Sequence, residues 1–359
     1  MPTRPLSPHS SEESVRDDAR RLLRDRDAGD PGALQRLREF LPRLRGADDK
    51  KIAATPLKWN DALLAIAREY GFESWSRIKA HLELVQSNAD CPLHEQIKDG
   101  PFRRAVELMD QGDQAALAAQ LVAHPDLAHK RVHFEGGNYF RRPNLLAFIA
   151  ENPVRHGRLP ANAASIAETI LHAGGGEDKA GLDETLALVA SGQVPRESGV
   201  QVELIRLLCS RGADPAKALQ PALAQGELRA AHALLQCGAA LTLSASAAFG
   251  LLDEARQRLP KAGAVERHRA LANAAQLGHA EIILLLLDAG EDPSRYNPEG
   301  AHSHSTPLHQ AAWHGHDDVA RLLVERGARR DLRDTIFRGT SADWAQHNGH
   351  SELAEWLRE

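Results

Sequence analysis

The sequence predicts an all-α protein in which a repeat solenoid follows a small N-terminal helical domain. Similar stretches recur along the C-terminal third, where Gly278, Gly315 and Gly349 mark corresponding points of successive copies. Alanine and leucine are abundant, aromatic residues make up only 4% of the chain, and β-branched residues rarely alternate with polar ones. These features favour helices packed closely on small side chains, and they disfavour a β-sandwich or an α/β sheet.

The composition disfavours several classes of function. The chain has 359 residues, 42% of them hydrophobic and 26% charged, which is typical of a soluble protein of two or three domains. Lysine and arginine number 44 against 49 acidic residues, so the overall charge does not favour a nucleic-acid partner. No apolar run reaches about 18 residues, and we expect no membrane partner. Three cysteines without CxxC spacing and the lack of a readable secretory signal predict a cytoplasmic protein.

The N-terminal part predicts a short tail followed by helices. Residues 1–13 are rich in proline, serine and charge, which predicts disorder. Helical periodicity then predicts an N-terminal helical domain over residues 14–90, punctuated by glycine, proline and aspartate. Its candidate helices are 14–26, 32–45, 59–70 and 74–87.

The last two candidate helices allow two interpretations. Ala67 and Gly71 have the spacing of the tight turn in a helix-turn-helix, and the helix that follows carries Arg77, Lys79 and His81. A DNA-binding regulator that uses residues 59–84 is therefore one possibility. The alternative is a structural helical pair in which Trp75 and its neighbours pack, and the balanced charge of the segment favours this second interpretation.

The cleanest repeat runs from Thr306 to Gly327. It opens with Thr-Pro-Leu-His-Gln-Ala-Ala, in which the threonine can cap a first helix and the proline suits its first turn. Gly315 ends that helix with positive φ, and Val319 and Leu322 belong to the apolar stripe of a second helix. The unit resembles the ankyrin repeat, which implies a solenoid of helix-turn-helix repeats with β-turn fingers.

The resemblance extends upstream with weaker copies. It predicts an ankyrin-like stack of about eight units over residues 99–359. The steps from Gly226 to Gly250 and from Gly250 to Gly278 are too short for full fingers, so we expect the concave surface to be interrupted there. Ahead of the stack, residues 61–82 resemble a helical module that precedes ankyrin repeats in many bacterial proteins.

The resemblance also implies a function and some residue roles. Ankyrin stacks bind through finger tips and first helices, so the expected function is a protein–protein interaction module or scaffold. The expected partner is another protein, and we expect neither enzyme activity nor a cofactor. The resemblance implies that His309 hydrogen-bonds back toward the loop of Thr306. Trp313 lies on a first helix, where it is a candidate binding anchor or a packing residue.

Three predicted loops, 131–160, 191–199 and 294–305, are longer than the repeat requires, and such loops often carry function. In or beside them stand polar candidates: Asn144, Glu151, Arg155, His156, Arg196, Glu197, Tyr296 and Asn297. A groove between these loops is the alternative site, in which Arg155 and Arg196 would hold a small anionic ligand. The same side chains could instead fasten the loops to the stack, and a glutamate beside His156 could make an acid–base pair.

Histidines cluster near the best repeat. His302 and His304 are separated by one residue, and three further histidines follow within the repeat. A metal site is conceivable at this density. No cysteine or carboxylate stands at a convincing ligand spacing, however, so the sequence predicts loop hydrogen bonds and partner contacts there and no metal.

Overall fold

A computed structural model describes residues 11–72, 74–87, 96–133, 142–152 and 154–359. It divides into two compact units, of which the first comprises Met1–Arg103 with Arg131–Pro143 and the second Arg104–Lys130 with Asn144–Glu359. Residues 1–10 of the predicted tail and 134–141 of the predicted loop 131–160 lie outside the described residues. Among the described helices, none combines the length and the apolar character needed to cross a bilayer.

The first unit is built from short helices around one apolar core. These helices are α1 (Glu12–Asp27), α2 (Pro31–Phe40), α3 (Asp49–Ala54), α4 (Trp59–Glu69) and α5 (Trp75–Ser87). Leu22, Leu37, Ile52, Ile66 and Ile78 are fully buried in the core. Each helix therefore contributes one apolar face, as the sequence pattern indicates.

The helix boundaries differ from the predicted ones for local reasons. α1 begins at Glu12 because Ser11 caps it and forms a capping box with Ser14. α2 ends at Phe40 and not at residue 45, because Leu41 precedes Pro42 and takes an extended conformation. The short helix α3 was not predicted, and the side chain of Asp48 caps it.

The predicted helix-turn-helix segment packs within its own unit. The Tyr70 hydroxyl donates a 2.7 Å hydrogen bond to Asp18, which lies on α1. The Trp75 ring lies under the Arg16 guanidinium, and Lys79 Nζ is 3.6 Å from the Glu12 carboxylate. α5 therefore presents part of its predicted recognition surface to α1, which supports the structural interpretation.

The second unit is a helical solenoid. Its helices are α6 (Gly100–Gln111, in this unit from Arg104), α7 (Gln114–Ala123), α8 (Ala163–Ile170), α9 (Lys179–Ala190), α10 (Gln193–Glu197), α11 (Gln201–Ser210), α12 (Pro215–Ala224), α13 (Leu228–Gln236), α14 (Leu243–Ala248), α15 (Leu252–Arg258), α16 (Ala264–Leu277), α17 (Ala280–Asp288), α18 (Pro307–Trp313), α19 (Asp317–Glu325), α20 (Ser341–His347) and α21 (Ser351–Arg358).

The helices of the second unit form two rows. The first helices α9, α12, α14, α16, α18 and α20 each pack on the next, and the second helices α15, α17 and α19 do the same beside them. Alanines fill much of the space between the rows, and Leu271, Ile283, Leu308 and Leu353 are buried in the core. The all-α solenoid predicted from the sequence is therefore confirmed.

The repeat glycines end the first helices as predicted. They have φ between +68° and +86°, a conformation that glycine adopts without a steric penalty, and they are Gly226, Gly250, Gly278, Gly315 and Gly349. A histidine follows the last three. His279, His316 and His350 each place Nε2 within 3.2 Å of a carbonyl oxygen at the end of the preceding first helix. These side chains link consecutive repeats.

The connections between repeats have two lengths. Residues 237–242 and 259–263 are short links, as the glycine steps predict. Longer fingers precede α18 and α20, and in the second one Arg333 and Thr340 form an isolated antiparallel bridge. We call residues 294–305 the first finger and residues 331–340 the second finger. Both lie beside the first helices and shape the site.

Candidate functional site

The first helices and the two fingers border a cavity of about 570 Å³. This volume lies within the range of about 300–1,000 Å³ that is typical of ligand pockets. The lining residues are Ala224, Gln225, Gln276, His302, His304, Gln310, Trp313, His314, Phe337, Gly339, Asp343, Trp344 and His347. Three predicted site residues therefore meet here: His302, His304 and Trp313.

Aromatic rings form a continuous wall of this cavity. Phe337 is 6.3 Å from His304, and His304 is 5.6 Å from Trp344, measured between ring centroids. Trp344 is 5.6 Å from Trp313, which in turn stacks on His347 at 5.7 Å. Phe337 is 75% exposed, so the wall reaches solvent at the second finger. Such a cluster of amphipathic rings is typical of a binding hot spot.

Two imidazoles of the cavity lining, those of His304 and His314, have lowered pKa values and are neutral at neutral pH. Burial and the neighbouring His302 hold the pKa of His304 below its usual 6.5, despite the opposing effect of Asp334. Burial lowers the pKa of His314 to about 4, and His316, His302 and His350 contribute repulsion to the same shift. Among the described lining residues, Asp343 is the acidic side chain, and lysine and arginine are absent.

One position of the repeat supplies much of the lining. Ala224, Gln276, Trp313 and His347 each stand two residues before a repeat glycine, and all four line the cavity. The backbone carbonyls of Ala248, Gln276 and Trp313, which share this position, each lie within hydrogen-bond distance of the histidine of the next repeat. A sequence scan of this position would have found Gln276 and His347, which were not predicted.

The first finger is fastened across the short repeats. Leu251 stands where the three later repeats have a histidine, so the carbonyl of Ala224 lacks the donor that those repeats provide. His302 supplies a nitrogen 2.6 Å from this carbonyl oxygen, and Gln276 Nε2 donates to it at 3.0 Å. Gln220 Nε2 also donates to the carbonyl of Gly300 at 3.0 Å. The finger thereby covers a surface that the short repeats leave open.

The second finger is organised by a buried carboxylate. Asp334 is fully buried and accepts hydrogen bonds from the backbone of Ile336 and Gly339 and from the indole N–H of Trp344. Burial alone would raise the pKa of Asp334, but these hydrogen bonds outweigh it and keep the pKa below the usual 3.8. The carboxylate thus fixes the turn that presents Phe337 at the cavity.

The group around Arg155 is a buried ion-pair cluster. The Arg155 guanidinium is fully buried, lies 2.6 Å from Asp110 Oδ1 and donates to the carbonyl of Phe148. Glu151, with φ of 49°, accepts the backbone N–H groups of Arg155 and His156. Nε and Nη2 of Arg155 are used by Asp110 and by the Phe148 carbonyl, whereas Nη1 is buried without a hydrogen-bond partner among the described residues. These contacts favour the alternative interpretation, in which Arg155 fastens its loop to the stack, over a fork for an anion.

This cluster also bears on acid–base and metal chemistry. The ring of His156 has Nε2 at 3.2 Å from Asp110 Oδ2, and Glu151 accepts the backbone N–H of His156. Asp110, Glu151 and His156 offer ligand atoms within 4.8 Å of one another, the group with metal-like spacing in the part of the chain that the structure describes. The guanidinium of Arg155 already compensates the carboxylates, which favours a structural role.

The remaining predicted residues stabilise loops. Asn144 is buried and accepts the backbone N–H of Ala147 at 3.0 Å. Asn297 is also buried and bonds to Ser305 Oγ, and the hydroxyl of Tyr296 donates to the carbonyl of Arg333 at 2.6 Å. The contacts of Tyr296 and Asn297 hold the fingers in place, whereas that of Asn144 orders the segment that follows it. They agree with the alternative interpretation, in which polar side chains fasten the loops to the stack.

Arg196 and Glu197 lie in α10, a helix within the predicted loop 191–199. Arg196 pairs with Glu227 at 2.7 Å and with Glu197 at 3.3 Å. The predicted loops 131–160 and 191–199 are in contact, because the backbone N–H of Leu159 donates to Ser198 Oγ at 2.9 Å. The predicted residues thus fall into one group near α10 and another group at the two fingers.

Comparison with known proteins gives the family. A family model described as ankyrin repeats, in three copies, matches residues 199–334 and 271–359. The human protein "Cyclin-dependent kinase 4 inhibitor B" is 36% identical over 121 residues, which cover 32% of this chain and 84% of that protein. This chain belongs to the ankyrin-repeat family.

Two other relatives support the assignment to the ankyrin-repeat family. Human "Cyclin-dependent kinase inhibitor 2A" is 33% identical over 121 residues, covering 32% of this chain and 74% of that protein. The "Ankyrin repeat-containing protein P1E11.10" of Schizosaccharomyces pombe is 38% identical over 61 residues, covering 17% of this chain and 28% of that protein.

The Thr-Pro-Leu-His motif that begins at Thr306 has the geometry that the resemblance to the ankyrin repeat implies. His309 Nδ1 lies 2.8 Å from Thr306 Oγ1 and accepts the backbone N–H of the same threonine at 3.3 Å. Its Nε2 reaches the carbonyl of Gly339 at 3.3 Å, which joins the repeat to the second finger. The prediction for His309 is confirmed, and this histidine is structural.

Proposed function

We propose that this ankyrin-repeat protein binds a protein partner at the cavity between its first helices and fingers. The observation that carries the proposal is the wall formed by Phe337, His304, Trp344 and Trp313, whose exposed end is Phe337. Large rings at the centre of a recessed surface supply most of the binding energy in many protein interfaces. The scaffold is already ordered, so little entropy is lost on binding.

The geometry supports the partner site better than the anionic-ligand alternative. Arg155 is enclosed by Asp110 and Glu151, and Arg196 is shared between Glu227 and Glu197. An anion would have to displace these carboxylates. DNA binding through residues 59–84 is disfavoured as well, because Lys79 pairs with Glu12.

The proposed site of action is the cytoplasm. Cys209 and Cys237, the described cysteines, are free thiols, and this agrees with a reducing compartment. Binding a protein partner requires no catalytic step, and we propose a non-enzymatic role for this protein. The two human relatives are named as kinase inhibitors, so protein kinases are one class of partner to include in a binding screen.

Affinity capture with a paired control tests the proposal. The double variant Trp313→Leu, Phe337→Ala removes two rings of the wall. The control variant Val122→Ala, Val265→Ala truncates two exposed apolar side chains away from the cavity. We expect a protein that the wild type and the control retain and the double variant loses, followed by direct binding of the purified partner. A partner that all three proteins retain equally would place the interface elsewhere.

A further inference from the structure

We propose that the cavity receives an arginine side chain of the protein partner, an inference that rests on the proposed function and specifies its chemistry. The cavity combines flat aromatic rings, hydrogen-bond acceptors and a carboxylate among its lining residues. A guanidinium is planar, carries five N–H donors and is weakly hydrated for a cation. Each of these properties matches one property of the cavity.

The charge of the lining selects against anions. Among the lining residues, all of which lie in the described part of the chain, there is no lysine or arginine, and Asp343 contributes a carboxylate. Oδ2 of Asp343 accepts hydrogen bonds from the backbone and hydroxyl of Thr340, which hold the carboxylate in place. An acidic side chain would meet this charge in a cavity that no lysine or arginine lines.

The hydrogen-bonding groups of the lining select for a donor. Gln276 and Gln310 use their Nε2 groups on the Ala224 carbonyl and on Ser305 Oγ, which leaves their Oε1 atoms as acceptors. The neutral imidazoles of His304 and His314 each add one acceptor nitrogen beside one N–H donor. A purely apolar occupant would bury these acceptors without partners, which is unfavourable. A guanidinium can satisfy several of them at once.

The rings select a flat cation over a compact one. Trp344 and Trp313 offer indole rings, the side chains with the strongest attraction for cations. The indole N–H of Trp344 donates to the buried carboxylate of Asp334 at 3.1 Å, which increases the electron density of the ring toward a bound cation. A lysine ammonium keeps its hydration more strongly and lacks the plane that stacks on these rings.

Short peptides test this inference without knowledge of the natural partner. The probes are acetylated and amidated pentapeptides in which arginine, citrulline, lysine, phenylalanine or glutamate is flanked by two glycines on each side. Citrulline has nearly the shape of arginine without its charge. Each peptide is titrated into the full-length ¹⁵N-labelled protein, and the indole N–H resonance of Trp313, assigned with Trp313→Leu, reports binding.

We expect the arginine peptide to bind about tenfold more tightly than the citrulline peptide, an order of magnitude set by cation–π and charge contributions. Asp343→Asn, which keeps an oxygen for the helix cap, and the surface variant Phe337→Ala should each weaken arginine binding severalfold. Val265→Ala should leave it unchanged. Tighter binding of the phenylalanine or glutamate peptide would overturn the arginine assignment and leave the partner site standing. Absence of any shift with arginine would overturn it too, while the capture experiment tests the partner site independently.

Discussion

The imidazole of His302 lies 2.6 Å from the carbonyl oxygen of Ala224, although 78 residues separate them in the sequence. In the later repeats, the histidine directly after the glycine lies within hydrogen-bond distance of the corresponding carbonyl oxygen, as His279 and His316 do. Leu251 replaces that histidine here, and the first finger folds back to supply one. The leucine at position 251 therefore accounts both for the missing histidine link of this repeat and for the position of the first finger at the cavity.

This relationship predicts the behaviour of His302→Ala. Gln276 still serves the Ala224 carbonyl, so the global free energy of unfolding should fall by only about 1 kcal/mol. Residues 294–305 should exchange their amide hydrogens much faster, because the finger loses its fastening. Hydrogen–deuterium exchange measures this directly. Adding Leu251→His should restore the free energy of unfolding but not the slow exchange of the first finger. Unchanged exchange in His302→Ala would contradict the conclusion that His302 fastens this finger.

Gly315 and His350 provide a second prediction. A Cβ at Gly315 would lie 2.4 Å from Cε1 of His350, and the φ of this glycine is +69°. Gly315→Ala should therefore lower the free energy of unfolding by about 3 kcal/mol, measured by urea denaturation. Gly327→Ala is the control, because its φ is +96° and nothing lies within 4 Å of its Cβ position. It should cost about 1 kcal/mol.

The clash itself can be isolated with a double-mutant cycle. His350→Ala removes the ring that an alanine at position 315 would meet. The combined variant should therefore lose less stability than the two single variants together. Strict additivity would mean that the positive φ of Gly315, and not its contact with His350, determines the cost.

Arg155 is predicted to be structural. Its guanidinium is fully buried against Asp110, which is only 8% exposed, so Arg155→Ala leaves two buried carboxylates without their cation. The free energy of unfolding should fall by about 3–5 kcal/mol. Arg256 pairs with Asp253 on an exposed surface, and Arg256→Ala should change stability by no more than about 0.5 kcal/mol. Equal effects of the two variants in urea denaturation would refute the buried cluster.

The solenoid should lose stability on acidification. Burial lowers the pKa values of His268, His304 and His309, and it lowers that of His314 to about 4. Below pH 6.5 these histidines bind protons in the unfolded chain but remain neutral in the native state. The free energy of unfolding therefore falls from about pH 6.5 toward pH 4. Urea midpoints at pH 7.5, 6 and 5 test this, and His314→Gln should make the decline shallower. A constant midpoint across this range would contradict the prediction.

The carboxylate of Asp334 titrates in a different range. Its pKa is lower in the native state than the usual 3.8, so it stabilises the second finger above that value and this contribution is lost as the pH falls further. Asp334→Asn should therefore weaken the finger at neutral pH. Its effect should shrink below about pH 3.8, which separates it from the histidines, and the fluorescence of Trp344 is a suitable local readout.

The sequence by itself determined the elements whose causes are local. The glycines of the repeat require positive φ wherever a first helix ends, and Thr306 and His309 define a cap within one turn. The short steps around Gly250 predicted missing fingers, because a finger needs residues that the chain does not have there. The predicted C-terminal end of α2 at residue 45 was wrong, although its cause is local, because Leu41 takes an extended conformation before Pro42.

Only the tertiary structure decided which side chains form the site. Arg155 looks like a ligand fork in the sequence, yet Asp110, 45 residues away, encloses it. Phe337, Trp344 and His304 border a cavity because two fingers and the four first helices α12, α16, α18 and α20 converge. The repeat spacing defines contacts between adjacent units, whereas the link from His302 to Ala224 skips a unit and depends on a missing histidine at position 251. Local rules predict helices and their ends, but the burial of a charge and the enclosure of a cavity depend on segments that only folding brings together.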